Sequence, residues 1–214
     1  MARHYIGLVE ACLPDGGDIL LGGWSLGGTL SLEMAHQIAV SGPEHLRKKF
    51  RVVGMVWVDT VFPHHVEGET QDTYVGPNER IAEVTQDMID DMTNQQLVQL
   101  NMMHARRMVY VWDIPAWEKA EDKNGERAVV KVQPPRTILL RAKGSTKGDS
   151  PSFVDRTRQF RMLGWEKYSA AHGGFIDSVV DVEGEHFTVF EFDKIEDITA
   201  HIRRAADELE RRTT

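Results

Sequence analysis

Gly23-Trp24-Ser25-Leu26-Gly27 fits the pattern G-x-S-x-G, which places a serine hydroxyl where it can attack a carbonyl carbon. A tight turn from strand to helix strains the backbone at the serine and crowds the positions beside it, so Gly23 and Gly27 are expected there. The serine oxygen then stands near the positive end of the following helix. The Leu26 N–H is the candidate oxyanion donor. The plainer reading is a glycine-rich turn in an inert domain, with Ser25 as a helix cap.

A hydroxyl is a weak nucleophile at neutral pH, so a base must take its proton and an acid must orient that base. Where this turn carries chemistry, the partners follow in the chain order serine, acid, histidine. Nine histidines are present. His186, in Val182-Glu183-Gly184-Glu185-His186-Phe187, leaves a strand for a helical segment and is the candidate base, with His172 as its competitor. Asp59 ends the apolar run that follows the elbow helix and is the favoured acid. Asp149, in the polar run 144–150, is the alternative acid.

These residues need elements to hold them. Residues 3–13 have helical periodicity and stop at Pro14-Asp15-Gly16-Gly17. Asp18-Ile19-Leu20-Leu21-Gly22 suits a buried strand, and 29–40 a helix, giving strand, turn and helix around Ser25. Residues 52–58 lack polar alternation and predict a parallel strand covered on both faces. Residues 78–112 predict helix, with a methionine-rich stripe (Met88, Met92, Met103) that suits core or an adaptable acyl-binding wall. Residues 118–128 read as an exposed charged loop or helix end, 137–142 and 175–182 as strands, and 195–209 as a closing helix. Alternating strands and helices imply a mostly parallel α/β sheet with right-handed crossovers, in a single domain over residues 1–214.

Composition narrows the function. With 214 residues, 41% hydrophobic and 27% charged, the chain has material for one sizeable core. A net charge of -8 argues against a nucleic-acid binder. No apolar run reaches the roughly 20 residues of a membrane span, and no signal peptide is evident, so a cytoplasmic setting without membrane contact is expected. The lone Cys12 excludes an internal disulfide and a multi-cysteine zinc site, and is expected to pack beside Tyr5, Leu8 and Val9. No metal-binding motif appears, and the adjacent His64 and His65 point apart.

Gly22 to Gly28, Val58-Asp59-Thr60 with Pro63 behind it, Leu163-Gly164-Trp165, and Gly184-Glu185-His186-Phe187-Thr188 together resemble the thioesterase domains that terminate polyketide and nonribosomal peptide synthetases, of the α/β-hydrolase superfamily. The resemblance runs from about residue 5 over nearly the whole chain. It implies a sheet with helices on both faces and residues 64–133 as a helical lid insertion. It also implies transfer of an acyl chain to Ser25 from the phosphopantetheine arm of an acyl or peptidyl carrier protein, with no other cofactor. Asp59 matches the family's acid position. Water would then release an acid, or an internal nucleophile a ring. Only about 20 residues precede Ser25, so the first strands and the loop carrying a second oxyanion donor are expected to be missing. Such a loss costs about 2.7–4 kcal/mol, and an open sheet edge favours self-association. A general carboxylesterase or lipase-like hydrolase, and a non-catalytic interaction domain, are the competing readings.

Overall fold

The computed structural model describes residues 1–68, 85–123, 126–146 and 152–212. Helix α1 (Ala2–Cys12) leads into β1 (Gly17–Trp24), and α2 (Leu26–His36) starts at once, running on as a π-helical turn, Gln37–Ser41. Then come α3 (Glu44–Lys49) and β2 (Phe50–Val58), followed by α4 (Gln86–Asp90) and α5 (Asn94–Tyr110). The antiparallel pair β3 (Glu118–Lys123) and β4 (Glu126–Lys131) precedes β5 (Thr137–Ala142). A 3-10 turn (Phe153–Asp155), α6 (Glu166–Ala171), β6 (Ile176–Val182) and α7 (Ile195–Arg211) complete the order.

β1, β2, β5 and β6 form one sheet in that order, and every neighbouring pair is parallel. The apolar run of β2 explains its central place, because alternate side chains serve two cores. Met55 and Trp57 pack with Leu32 and Ala35 of α2 on one face. Val56 and Val58 pack with Ile198, Ala205 and Leu209 of α7 on the other. Each such aliphatic side chain contributes about 1.5–3 kcal/mol when fully buried. The Trp57 indole N–H is satisfied by Ser31 Oγ at 2.9 Å, which lets so large a ring lie wholly inside.

Three expectations are corrected. In α1 the covered stripe is Ala2, Ile6 and Val9 against Met34, Ile38 and Leu46, while Tyr5, Leu8 and Cys12 are exposed. This helix packs mainly on α2, with Ile38 and Leu46 beside it, so only one narrow i, i+4, i+7 line is buried. Residues 85–112 are two helices, because Thr93 starts a new one: its hydroxyl accepts from the Gln96 N–H while Gln96 Oε1 accepts from the Thr93 N–H. None of α5 is buried, so its stripe is not core; residues 78–84 lie outside the described residues. The charged stretch 118–131 is a hairpin rather than a loop or helix end, with Glu118 in register opposite Lys131.

Candidate active site

The candidate residues lie at the carboxyl ends of the parallel strands, where loops leave the sheet together. Ser25 follows β1, Asp59 follows β2 and His186 lies four residues past β6. Ser25 holds φ 56° and ψ -120°, and Asp59 holds φ 47°, both costly for residues with a side chain. The sheet holds these conformations in place. The Ser25 N–H donates to Val58 O at 2.9 Å, and the Asp59 N–H donates to Leu140 O at 2.7 Å.

Glycine is required at Gly23, where a Cβ would lie 2.5–2.7 Å from the backbone of Gly27. At Gly28 a Cβ would strike the Thr60 side chain, as close as 2.0 Å. At Gly27 a Cβ would meet nothing, so the crowding expected there is supplied from the Gly23 and Gly28 positions instead.

Ser25 Oγ lies 2.9 Å from His186 Nε2, and His186 Nδ1 lies 2.8 Å from Asp59 Oδ2. The tautomer with hydrogen on Nδ1 satisfies both contacts: it donates to Asp59 and accepts the Ser25 hydroxyl proton. His186 and Asp59 are almost wholly buried. His172 is elsewhere, its Nδ1 2.9 Å from Tyr168 O and its ring against that of Tyr168. Asp149 lies outside the described residues.

Asp59 has further partners. Arg158 Nη1 donates to Oδ1 at 2.6 Å and Nη2 to Oδ2 at 2.7 Å, while the Ala142 N–H donates to Oδ1 at 2.9 Å. Burial alone would raise the Asp59 pKa, but hydrogen bonds from Arg158 and His186, with their charges, hold it below the usual carboxylate value. The Arg158 pKa is raised: burial works against its charge, and the bond to Asp59 prevails.

The histidine loop is pinned at two points. Trp24 Nε1 donates to His186 O at 3.0 Å, and Thr188 Oγ1 accepts from the Glu185 N–H at 2.9 Å. Behind Asp59, Trp165 Nε1 donates to Thr60 O at 2.9 Å and the Phe62 N–H donates to Leu163 O at 3.0 Å, so Leu163-Gly164-Trp165 braces the loop that follows Asp59.

Sequence reasoning did not find Arg158. It stands 99 residues from Asp59 in a basic run that resembles a solvated surface. Its burial beside a strand end is visible only in three dimensions. The position of Trp24 inside the motif was a usable signal for its part.

Ser25, Leu26 and His186 line a cavity of about 770 Å³ whose apolar wall includes Val61, Met102 and Phe187. Leu26 is the first residue of α2, so its N–H is one of the helix-start donors without an intrahelical acceptor. A second cavity of about 690 Å³ shares Leu26, Thr29 and Val109 but is lined by neither Ser25 nor His186. Among the described residues no cluster of His, Cys, Asp or Glu is placed to hold a metal.

A parallel sheet covered on both faces, with a strained serine between its first strand and the next helix, defines an α/β-hydrolase-like protein. More narrowly, residues 1–206 match the model of the thioesterase domain, and the chain belongs to that family. It is 31% identical to thioesterase frbE of Dothideomycetidae sp., over 99% of this chain and 73% of that protein. It is 28% identical to part of the nonribosomal peptide synthetase imqB of Aspergillus flavus, over 98% of this chain and 6% of that protein. In fold it is similar to the NocB thioesterase domain from the nocardicin cluster, with a TM-score of 0.56 and 24% identity, over 97% of this chain and 72% of that one.

Proposed function

We propose that the protein releases a polyketide or peptide acyl chain from the phosphopantetheine thioester of a carrier protein, with Ser25 as nucleophile, His186 as base and Asp59 as acid. The observation that carries this reading is the unbroken line from Ser25 Oγ through His186 to Asp59, at 2.9 and 2.8 Å, beside an apolar cavity. Membership of the thioesterase family supports the thioester. The match to a stretch of a much longer peptide synthetase supports a carrier-bound substrate.

As Ser25 Oγ bonds to the thioester carbonyl carbon, His186 Nε2 takes its proton and the carbonyl electrons move to oxygen. The Leu26 N–H, at the positive end of α2, faces that developing charge. Collapse breaks the carbon–sulfur bond, and the proton on His186 leaves with the pantetheine thiol. The same base then activates water against the acyl-serine ester and yields an acid; a hydroxyl or amine of the acyl chain in place of water yields a ring. In this reading the described residues of 64–133 belong to the lid, with Met102 and Met103 of α5 at the acyl channel; residues 69–84, 124 and 125 of that span lie outside the described residues.

No helix among the described residues is long and apolar enough to cross a membrane. The test is steady-state turnover of an acyl-pantetheine thioester against the matching oxygen ester. A strong preference for the thioester supports the assignment; a preference for the oxygen ester would favour a general carboxylesterase.

A further inference from the structure

We propose that Arg158 is a positioning residue of the reaction: its fork clamps both oxygens of Asp59 and aims that carboxylate at His186. The inference rests on the reading of Asp59 as the acid.

Each Asp59 oxygen accepts two hydrogen bonds, Oδ1 from Ala142 N–H and Arg158 Nη1, Oδ2 from Arg158 Nη2 and His186 Nδ1. The carboxylate therefore has no freedom to rotate away from the ring. Arg158 is itself fixed, because Nη1 also donates to Ala142 O at 3.1 Å and Nη2 to Val154 O at 3.3 Å. These contacts tie the end of β5, the 3-10 turn and the acid into one rigid group. A planar two-toothed donor is needed for this, and lysine offers only a point charge.

Asp155 joins the same group, its Oδ1 3.4 Å from Arg158 Nε.

The experiment measures kcat and KM for an octanoyl-pantetheine thioester at one pH, per folded site, with wild type, Arg158→Gln, Arg158→Lys and Asp59→Asn. Arg158→Lys keeps the charge and loses the fork, so kcat should fall between about tenfold and 10²-fold at unchanged KM. Arg158→Gln loses both and should fall at least as far, again at unchanged KM. A merely structural arginine would lower the folded fraction without changing kcat per folded site. Wild-type kcat in Arg158→Lys, or in folded Arg158→Gln, overturns the proposal. Should circular dichroism find Arg158→Gln unfolded, as removal of one partner of a buried ion pair can cause, the kcat of Arg158→Lys decides. Wild-type turnover in Asp59→Asn would instead overturn the triad on which the inference stands.

Discussion

His186 makes both of its ring contacts only because its surroundings leave it one orientation. Nδ1 meets Asp59, Nε2 meets Ser25, and its own carbonyl is held by Trp24 Nε1. Asp59→Asn puts an amide in place of the carboxylate and misorients the ring. Turnover should fall by about 10⁴, the loss known for the equivalent change in a serine protease. Steady-state kinetics will test this, and a loss below tenfold would remove Asp59 from the role. Trp24→Phe keeps the ring packing but deletes one hydrogen bond, worth about 1 kcal/mol. A drop in kcat of about fivefold at constant KM is expected, and unchanged kcat would mean that the bond does not position the base. At this scale the sequence was informative where chemistry is tied to a local pattern. Ser25 and His186 sit in short motifs, and Asp59 ends an apolar run. Arg158 has no local pattern, since its partner is distant in the chain and its burial depends on where the 3-10 turn folds back.

The strand–turn–helix of β1 and α2 is a shape that glycine permits. Gly23→Ala would drive its Cβ into the Gly27 backbone. Overpacking of this kind costs about 1–3 kcal/mol, and the turn must open, carrying Ser25 away from His186. Urea denaturation should record the lower midpoint and thioester turnover the lost activity; a variant with both properties intact would contradict the packing account. Helix α5 behaves differently because none of its residues is buried. Met102→Ala and Met103→Ala should leave stability within about 0.5 kcal/mol while raising KM for long acyl chains more than for short ones. Equal effects on both chain lengths would take these residues out of the acyl channel. Periodicity located β1, β2, β5, β6, α2 and α7, and β2 and β5, covered on both faces, carry the clearest apolar runs. It misplaced the buried line of α1 and missed the hairpin of β3 and β4, since both depend on neighbours rather than on local pattern.

For the whole molecule, acid stability follows from the paired carboxylates. Asp59 and Asp181 both have pKa values lowered in the fold, in each case despite burial, Asp59 by Arg158 and His186 and Asp181 by Arg161 and Arg141. A lowered folded pKa gives stability that is present above the unfolded value, about 3.9 for aspartate, and is lost as pH falls through the folded one. The urea midpoint should therefore decline below about pH 4; a flat profile would mean that the pairs contribute nothing. Among the described residues β1 pairs only with β2, and a strand edge of this kind can recruit another strand. Analytical ultracentrifugation should find association rising with concentration, and a monomer at every concentration would exclude that edge as an interface. The central claim is that this assembly makes Ser25 an acyl acceptor. Intact-mass spectrometry after incubation with an acyl-pantetheine thioester tests it most directly: the wild type should gain the mass of the acyl group and Ser25→Ala should gain none. An adduct of equal yield on Ser25→Ala, or no adduct on folded wild type, would contradict it.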